Sequence, residues 1–426
     1  MTPAVVWYFR RRIFWREECL PKEGPLVLLG SHSASFLDAI VMGVMMKRPI
    51  YFYVRGDIFG HRIVRWIFAQ LHMIPVFSAD LAKHDLYRNA ASFDEGARIL
   101  SDGGVVLIFP EGISRLERNR MPFRKSPARI MLQALQLNET LQIRVVPVGI
   151  HFSRHAFRGD LQIVTGEVVS VDAQSIAQFF PQGQEQLHSP RAVSLLTRQL
   201  DIAFEKVVLY VEPDDRSLLL ERSLHLLDTD CPGMDEQKFT RQRAICSKIT
   251  EMNEEGAAVW NEKMDRYFQQ LISNGWTDGG FRGRAGAWKA GWLLMVSFPV
   301  MAIGWLFHFL PYRFGRYMAD TKVTREDFYT SVQLSVSAVA YLLWLVAGVI
   351  VWSILRWEPL GWFLLLAPVF GWFSASWIDW YREWKSARFL SDPGNPEAQL
   401  LKKRREELKQ EMLRHLPANP DYLSLK

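Results

Sequence analysis

Two short stretches carry residue types whose spacing could do chemistry. In LLGSHSASFLDAIV, residues 28–41, His32 follows an apolar run and Asp38 comes six positions later, among small and apolar residues. A near-neutral imidazole can take a proton from a hydroxyl, provided a carboxylate holds its other nitrogen and stabilises the imidazolium that forms. Asp38 is the nearest candidate for that carboxylate. Six steps of a regular helix leave the two side chains about 120° apart, so they cannot share one helical face. His32 therefore belongs in a strand-to-helix turn, with Asp38 reaching back from the first turns of the helix. Ser33 or Ser35 is the expected N-cap.

The second stretch is LIFPEGISR, residues 107–115. Pro110 and Gly112 after an apolar strand force a sharp loop, where a purely structural turn would more cheaply carry Asn or Asp than Glu111. Beyond it come Arg115, Arg118, Arg120, Arg124, Lys125 and Arg129. Such a cluster beside a sheet's carboxyl edge suits a phosphate. Arg118 and Arg120 are expected to belong to a solvated basic face. Other chemistries have weaker support. No G-x-S-x-G elbow occurs, which argues against a serine hydrolase. His151 and His155 in HFSRH lack the acidic partner of a metal motif. Cys19, Cys231 and Cys246 lie far apart, without the spacing of a zinc ribbon or a disulfide framework.

The elements that must position these groups follow from periodicity. Residues 25–31, 50–55, 73–77, 104–110 and 143–152 are short apolar runs suited to buried strands, and 161–171 is a further one. Between them, 34–46, 58–71 and 86–100 carry apolar residues at three- and four-residue spacing. This alternation predicts an α/β fold, a mainly parallel sheet flanked by helices, followed by a helical region and a C-terminal helical membrane segment. The catalytic domain is expected over 21–215, a helical linker over 216–285, a membrane-associated region over 286–381 and a basic amphipathic tail over 382–426.

Sixteen tryptophans in 426 residues, a net charge of +6 and a pI near 9.1 favour a membrane and an anionic partner. Residues 334–355 and 360–378 hold no charged side chain and are long enough to form a transmembrane hairpin within 334–378. Residues 290–310 could span too, but Pro299 favours an element that enters and leaves on one face or lies along it. Basic residues downstream of the hairpin place its ends, and the catalytic domain, in the cytoplasm; in a bacterium this would be the inner membrane. The N-terminus has no cleavage site, so 1–20 is expected to be an interfacial helix with Val5, Trp7, Phe9 and Phe14 in lipid. In the tail, Leu401, Leu408, Met412 and Leu416 form a stripe expected to touch the membrane.

HSASFLD (32–38), IPVF (74–77), FPEGIS (109–114) and VPVGI (146–150), in this order, resemble the four blocks of the phospholipid/glycerol acyltransferases, which include lysophosphatidate and glycerol-3-phosphate acyltransferases. The resemblance covers about residues 20–215. It implies an O-acyl transfer in phospholipid biosynthesis, from acyl-CoA or acyl carrier protein as co-substrate to glycerol-3-phosphate or 1-acyl-glycerol-3-phosphate. His32 would be the base and Asp38 its orienting carboxylate. Glu111, Gly112 and Ser114 would belong to the acceptor site. Here five residues rather than four separate His32 from Asp38, and Ser78 stands where an arginine usually follows the PVF block. Arg115, Lys125 and Arg129 are then the expected phosphate ligands. No cofactor, metal or nucleic acid is implied. The rival reading is a membrane-anchored lipid-binding or scaffold protein that keeps the fold.

Overall fold

The computed structural model describes residues 2–77, 87–178, 189–230, 236–282 and 288–414; Ser78 and Leu416 lie outside them. Its centre is one eight-stranded sheet. The strands are β1 (Arg11–Trp15), β2 (Leu26–Gly30), β3 (Ile50–Arg55), β4 (Met73–Val76), β5 (Val105–Ile108), β6 (Ile143–Phe152), β7 (Asp160–Thr165) and β8 (Val169–Val171). Their order is β1-β7-β6-β2-β5-β3-β4, with β8 also on β6. Pairing is parallel except that β7 and β8 run antiparallel to β6.

All residues of β2 and β5 are buried, as strands covered on both faces require. Alternate side chains feed two separate cores: Val27 and Leu29 enter one, Leu26 and Leu28 the other. The second core is closed by α1 (Thr2–Tyr8), α2 (Phe36–Met45) and Leu334 from a long apolar helix near the C-terminus. The first is closed by α4 (Asn89–Ser101), α5 (Ser126–Leu137), α7 (Pro190–Glu205) and the helices that follow. The remaining short helices are α3 (Arg62–Gln70) and α6 (Ala173–Ala177).

Three expectations are corrected here. The N-terminal segment is not an interfacial helix: Val5 and Phe9 are each 1% exposed in the second core, Phe14 packs against it, and Trp7 meets Tyr341 edge-on. Residues 11–15 are a sheet strand, whose Arg11 pairs with Asp160 at 2.5 Å together with Arg10. Nor is 216–285 a linker. Within it, α8 (Ser217–Asp230), α9 (Glu236–Glu251) and α10 (Glu254–Ser273) place Leu220, Ile245, Met264 and Tyr267 in the same core as Val27 and Val106. The tail stripe also turns inward. In α14 (Pro396–Arg414), Leu401, Leu408 and Met412 join that core, and Arg405 grips buried Asp278 through Nε at 2.8 Å and Nη2 at 3.0 Å. An amphipathic pattern shows only that one face must be covered; here protein covers it.

The last third forms α11 (Trp288–Lys322), α12 (Glu326–Leu355) and α13 (Glu358–Leu390), each long and apolar enough to cross a membrane. The expected hairpin is α12 and α13, turning at Arg356 and Trp357. Leu306, Ile354 and Leu365 are about 70% exposed, as lipid-facing side chains would be. Pro299 does not break α11, which runs through both Pro299 and Pro311; membrane helices tolerate proline when neighbours satisfy the freed backbone. Yet both ends of α11 lie at the open end of the hairpin. Gly291 abuts Trp384 and Trp377 Nε1 donates to Leu294 O near one end, while Tyr329 donates to Asp320 near the other. Between them, Phe307 meets both Trp344 and Phe363.

Candidate active site

The carboxyl edge of the sheet is where open α/β folds hold ligands, and here it gathers the predicted residues. His32 follows β2, Glu111 follows β5, and His151 and Phe152 end β6, on three neighbouring strands. His32 Nδ1–H donates to Asp38 Oδ2 at 2.9 Å, and the Ala34 N–H donates to the same oxygen at 2.9 Å. Asp38 lies in the first turn of α2, as the spacing requires. The imidazole stacks on Phe109, centroids 4.1 Å apart, which leaves Nε2 as the ring nitrogen for a substrate. Asp38 is fully buried. Burial raises its pKa, and the bonds from His32 and the Ala34 N–H counter this only in part.

The turn between them is held from outside. Ser35 occupies the N-cap position with φ of 53°, a left-handed conformation costly for a non-glycine, and its side chain makes no capping bond. The capping oxygen comes from α12: Leu37 N–H donates to Ser331 Oγ at 3.1 Å, and Ser331 donates to Ala34 O at 2.5 Å. No pattern within residues 28–41 could have revealed this partner.

Gly112 has φ of +73°, which only glycine adopts freely, and so makes the turn that Pro110 begins. Glu111 is 5% exposed, accepts from the Tyr210 hydroxyl and takes a bond from the His32 backbone N–H. Burial, then the charge of Asp38, pushes its pKa well above the ordinary range. It therefore braces the His32 turn. Tyr210, far away in sequence, was not foreseen.

Ser114 is also buried and occupied. Its hydroxyl donates to Asp327 of α12, which Arg325 holds through Nε at 3.1 Å and Nη2 at 2.9 Å. Arg115 lines the cleft with His32 and Glu111, its side chain 45% exposed and 3.9 Å from Asp214. Arg118 lines it too, against expectation; it is partly buried and donates to Phe152 O at 2.6 Å. Arg120 does lie on a solvated face, paired with Asp201. Lys125 and Arg129 do not line this cleft: both are exposed on or beside α5, and Lys125 donates to Ser194 at 3.3 Å. His151 and His155 are cleft walls, each held near pKa 3 by burial and then by the charge of Arg118. His151 Nε2–H donates to Val207 O at 2.9 Å.

A mainly parallel α/β sheet thus holds a His–Asp pair and a glycine-turned glutamate together at its carboxyl edge. The model of the acyltransferase family matches residues 12–151 of this chain. Glycerol-3-phosphate O-acyltransferase 2 of Saccharomyces cerevisiae (strain ATCC 204508 / S288c) is 33% identical over 87 residues, 20% of this chain and 12% of that protein. The chain thus aligns with only a small part of that relative. The 1-acyl-sn-glycerophosphate (LPA) acyltransferase PlsC of Thermotoga maritima overlays with a TM-score of 0.33 at 17% identity, covering 47% of this chain and 72% of the other.

Proposed function

We propose that the chain is a membrane-bound O-acyltransferase that moves a fatty acyl group from acyl-CoA or acyl carrier protein to the hydroxyl of a phosphorylated glycerol acceptor. The observation that carries this is the His32–Asp38 pair, with Nδ1 held at 2.9 Å and Nε2 left for the acceptor. His32 Nε2 removes the hydroxyl proton as the oxygen attacks the thioester carbonyl, and Asp38 stabilises the imidazolium. The tetrahedral intermediate collapses, the C–S bond breaks, and the proton passes from His32 to the leaving thiolate. Arg115 and Arg118 are the cations that share the cleft with His32, and the acceptor phosphate is assigned to them.

The three long apolar helices support a membrane location. The contacts at both ends of α11 support an element that enters and leaves the membrane on the side of the catalytic domain, and the basic tail supports the cytoplasm as that side. The purified full chain, given labelled acyl-CoA or acyl carrier protein with glycerol-3-phosphate and with 1-acyl-glycerol-3-phosphate, should form the corresponding ester with one acceptor. Binding of either acceptor with no ester formed under any pairing would favour the scaffold reading.

A further inference from the structure

A large groove lies away from the His32 cleft, between the catalytic domain and the base of the membrane helices, and shares no lining residue with that cleft. Its walls are the start of β1, the β6–β7 turn, α8 and the last turns of α13. Along α13 the apolar surface gives way to charge at Asp379, and exposed Trp372 and Trp380 flank the groove there. Tryptophan takes such positions at membrane–water boundaries.

Eight arginines line the groove against five carboxylates, Asp160, Glu221, Asp278, Asp379 and Glu383. Asp160 is shared by Arg10 and Arg11, Glu383 is bound by Arg10 at 2.8 Å, and Asp379 is bound by Arg158 at 2.7 Å. Arg154 and Arg382 also line the groove, and among the described residues neither has a carboxylate within ion-pair distance. The Arg154 side chain donates only to a backbone carbonyl, that of Arg158 at 3.1 Å. Burial, then the neighbouring charge of Arg10, holds its pKa below the ordinary arginine value, against the opposing pull of Asp379 and Asp160. The lining thus keeps an excess of positive charge beside the exposed tryptophans.

We infer that this groove binds the phosphate headgroup of an anionic phospholipid, with Arg154 and Arg382 as its ligands and the acyl chains lying along α13 past Trp372 and Trp380. A lipid is the source because the groove opens where α13 changes from apolar to charged, so its headgroup and chains fall on the matching halves of the wall. Phosphate takes charge-assisted bonds from guanidinium groups, and each basic residue near an anionic lipid surface strengthens binding about fivefold.

The test titrates a fluorescent phosphatidylglycerol into the full chain in neutral detergent micelles, with a phosphatidylcholine analogue in parallel. Saturable binding is expected, at least roughly tenfold tighter for phosphatidylglycerol. Arg154→Gln with Arg382→Gln should weaken it about tenfold or more. Arg266→Gln, an exposed α10 arginine 71% open to solvent, removes charge elsewhere and should leave it unchanged. Equal binding of the two lipids, or an unchanged affinity in the double variant, would overturn the assignment. Displacement of the lipid by inorganic phosphate at equal concentration would show that the site takes a soluble anion and would overturn the lipid source.

Discussion

Ser331, on the long apolar helix α12, caps α2 at Leu37: its hydroxyl oxygen accepts the Leu37 N–H at 3.1 Å and its proton goes to Ala34 O at 2.5 Å. The strained turn that carries His32 toward Asp38 is thus closed by a residue nearly three hundred positions away. Loss of an N-cap costs about 1 kcal/mol. Ser331→Ala should lower stability by that order and reduce kcat by roughly ten- to a hundredfold through misplacement of the pair, with the donor KM unchanged. Ser331→Thr, which keeps the hydroxyl, should restore kcat. Equal losses in both variants would assign Ser331 to packing alone.

Glu111 offers a pH signature. Its folded pKa lies well above the ordinary value of 4.5, so the folded state binds more protons than the unfolded one between those limits. Stability from this group is therefore full below pH 4.5 and falls as pH rises toward the folded pKa. Glu111→Gln keeps an acceptor for Tyr210 and for the His32 N–H but cannot ionise. It should match the wild type in melting temperature below pH 4.5 and exceed it increasingly above that pH, as thermal scans across a pH series would read.

The cations near the acceptor separate by position. Arg115→Ala should raise KM for a phosphorylated acceptor by about tenfold while sparing the donor, since it removes a charge-assisted bond. Lys125→Ala should change neither by more than about twofold, because Lys125 does not line the cleft. Initial rates against both substrates decide this, and a larger effect at Lys125 than at Arg115 would move the phosphate toward α5.

Much of the site was legible because it is local. The impossibility of placing His32 and Asp38 on one helical face required a turn between them, and the protein has that turn, with Asp38 in the first turn of α2. The buried runs of β2, β5 and β6 announced the sheet, and charge-free stretches announced the hairpin. What failed depended on partners remote in sequence. Val5, Phe9, Leu401 and Met412 form apolar faces that a membrane or a protein core could cover equally well, and only tertiary packing chose the core. Arg118 looked like one more surface cation until the end of β6 was seen to receive it. Tyr210 and Ser331 carry no local motif at all.

The membrane arrangement can be mapped with single cysteines in a variant lacking Cys19, Cys231 and Cys246. Positions 273 and 404, both exposed, should label from the same side of the membrane as the sheet domain, because both ends of α11 meet the open end of the hairpin. Labelling of 273 and 404 from opposite sides would mean that α11 crosses completely.

The central claim is that His32, oriented by Asp38, removes the proton from the acceptor hydroxyl. Its most direct test is single-turnover acyl transfer by purified His32→Ala, with folding confirmed by its thermal transition and donor binding measured separately. The account predicts intact folding and donor binding with turnover reduced about 10²–10⁴-fold; Asp38→Asn should lose most activity as well. A folded His32→Ala protein that turns over at the wild-type rate would contradict the mechanism outright.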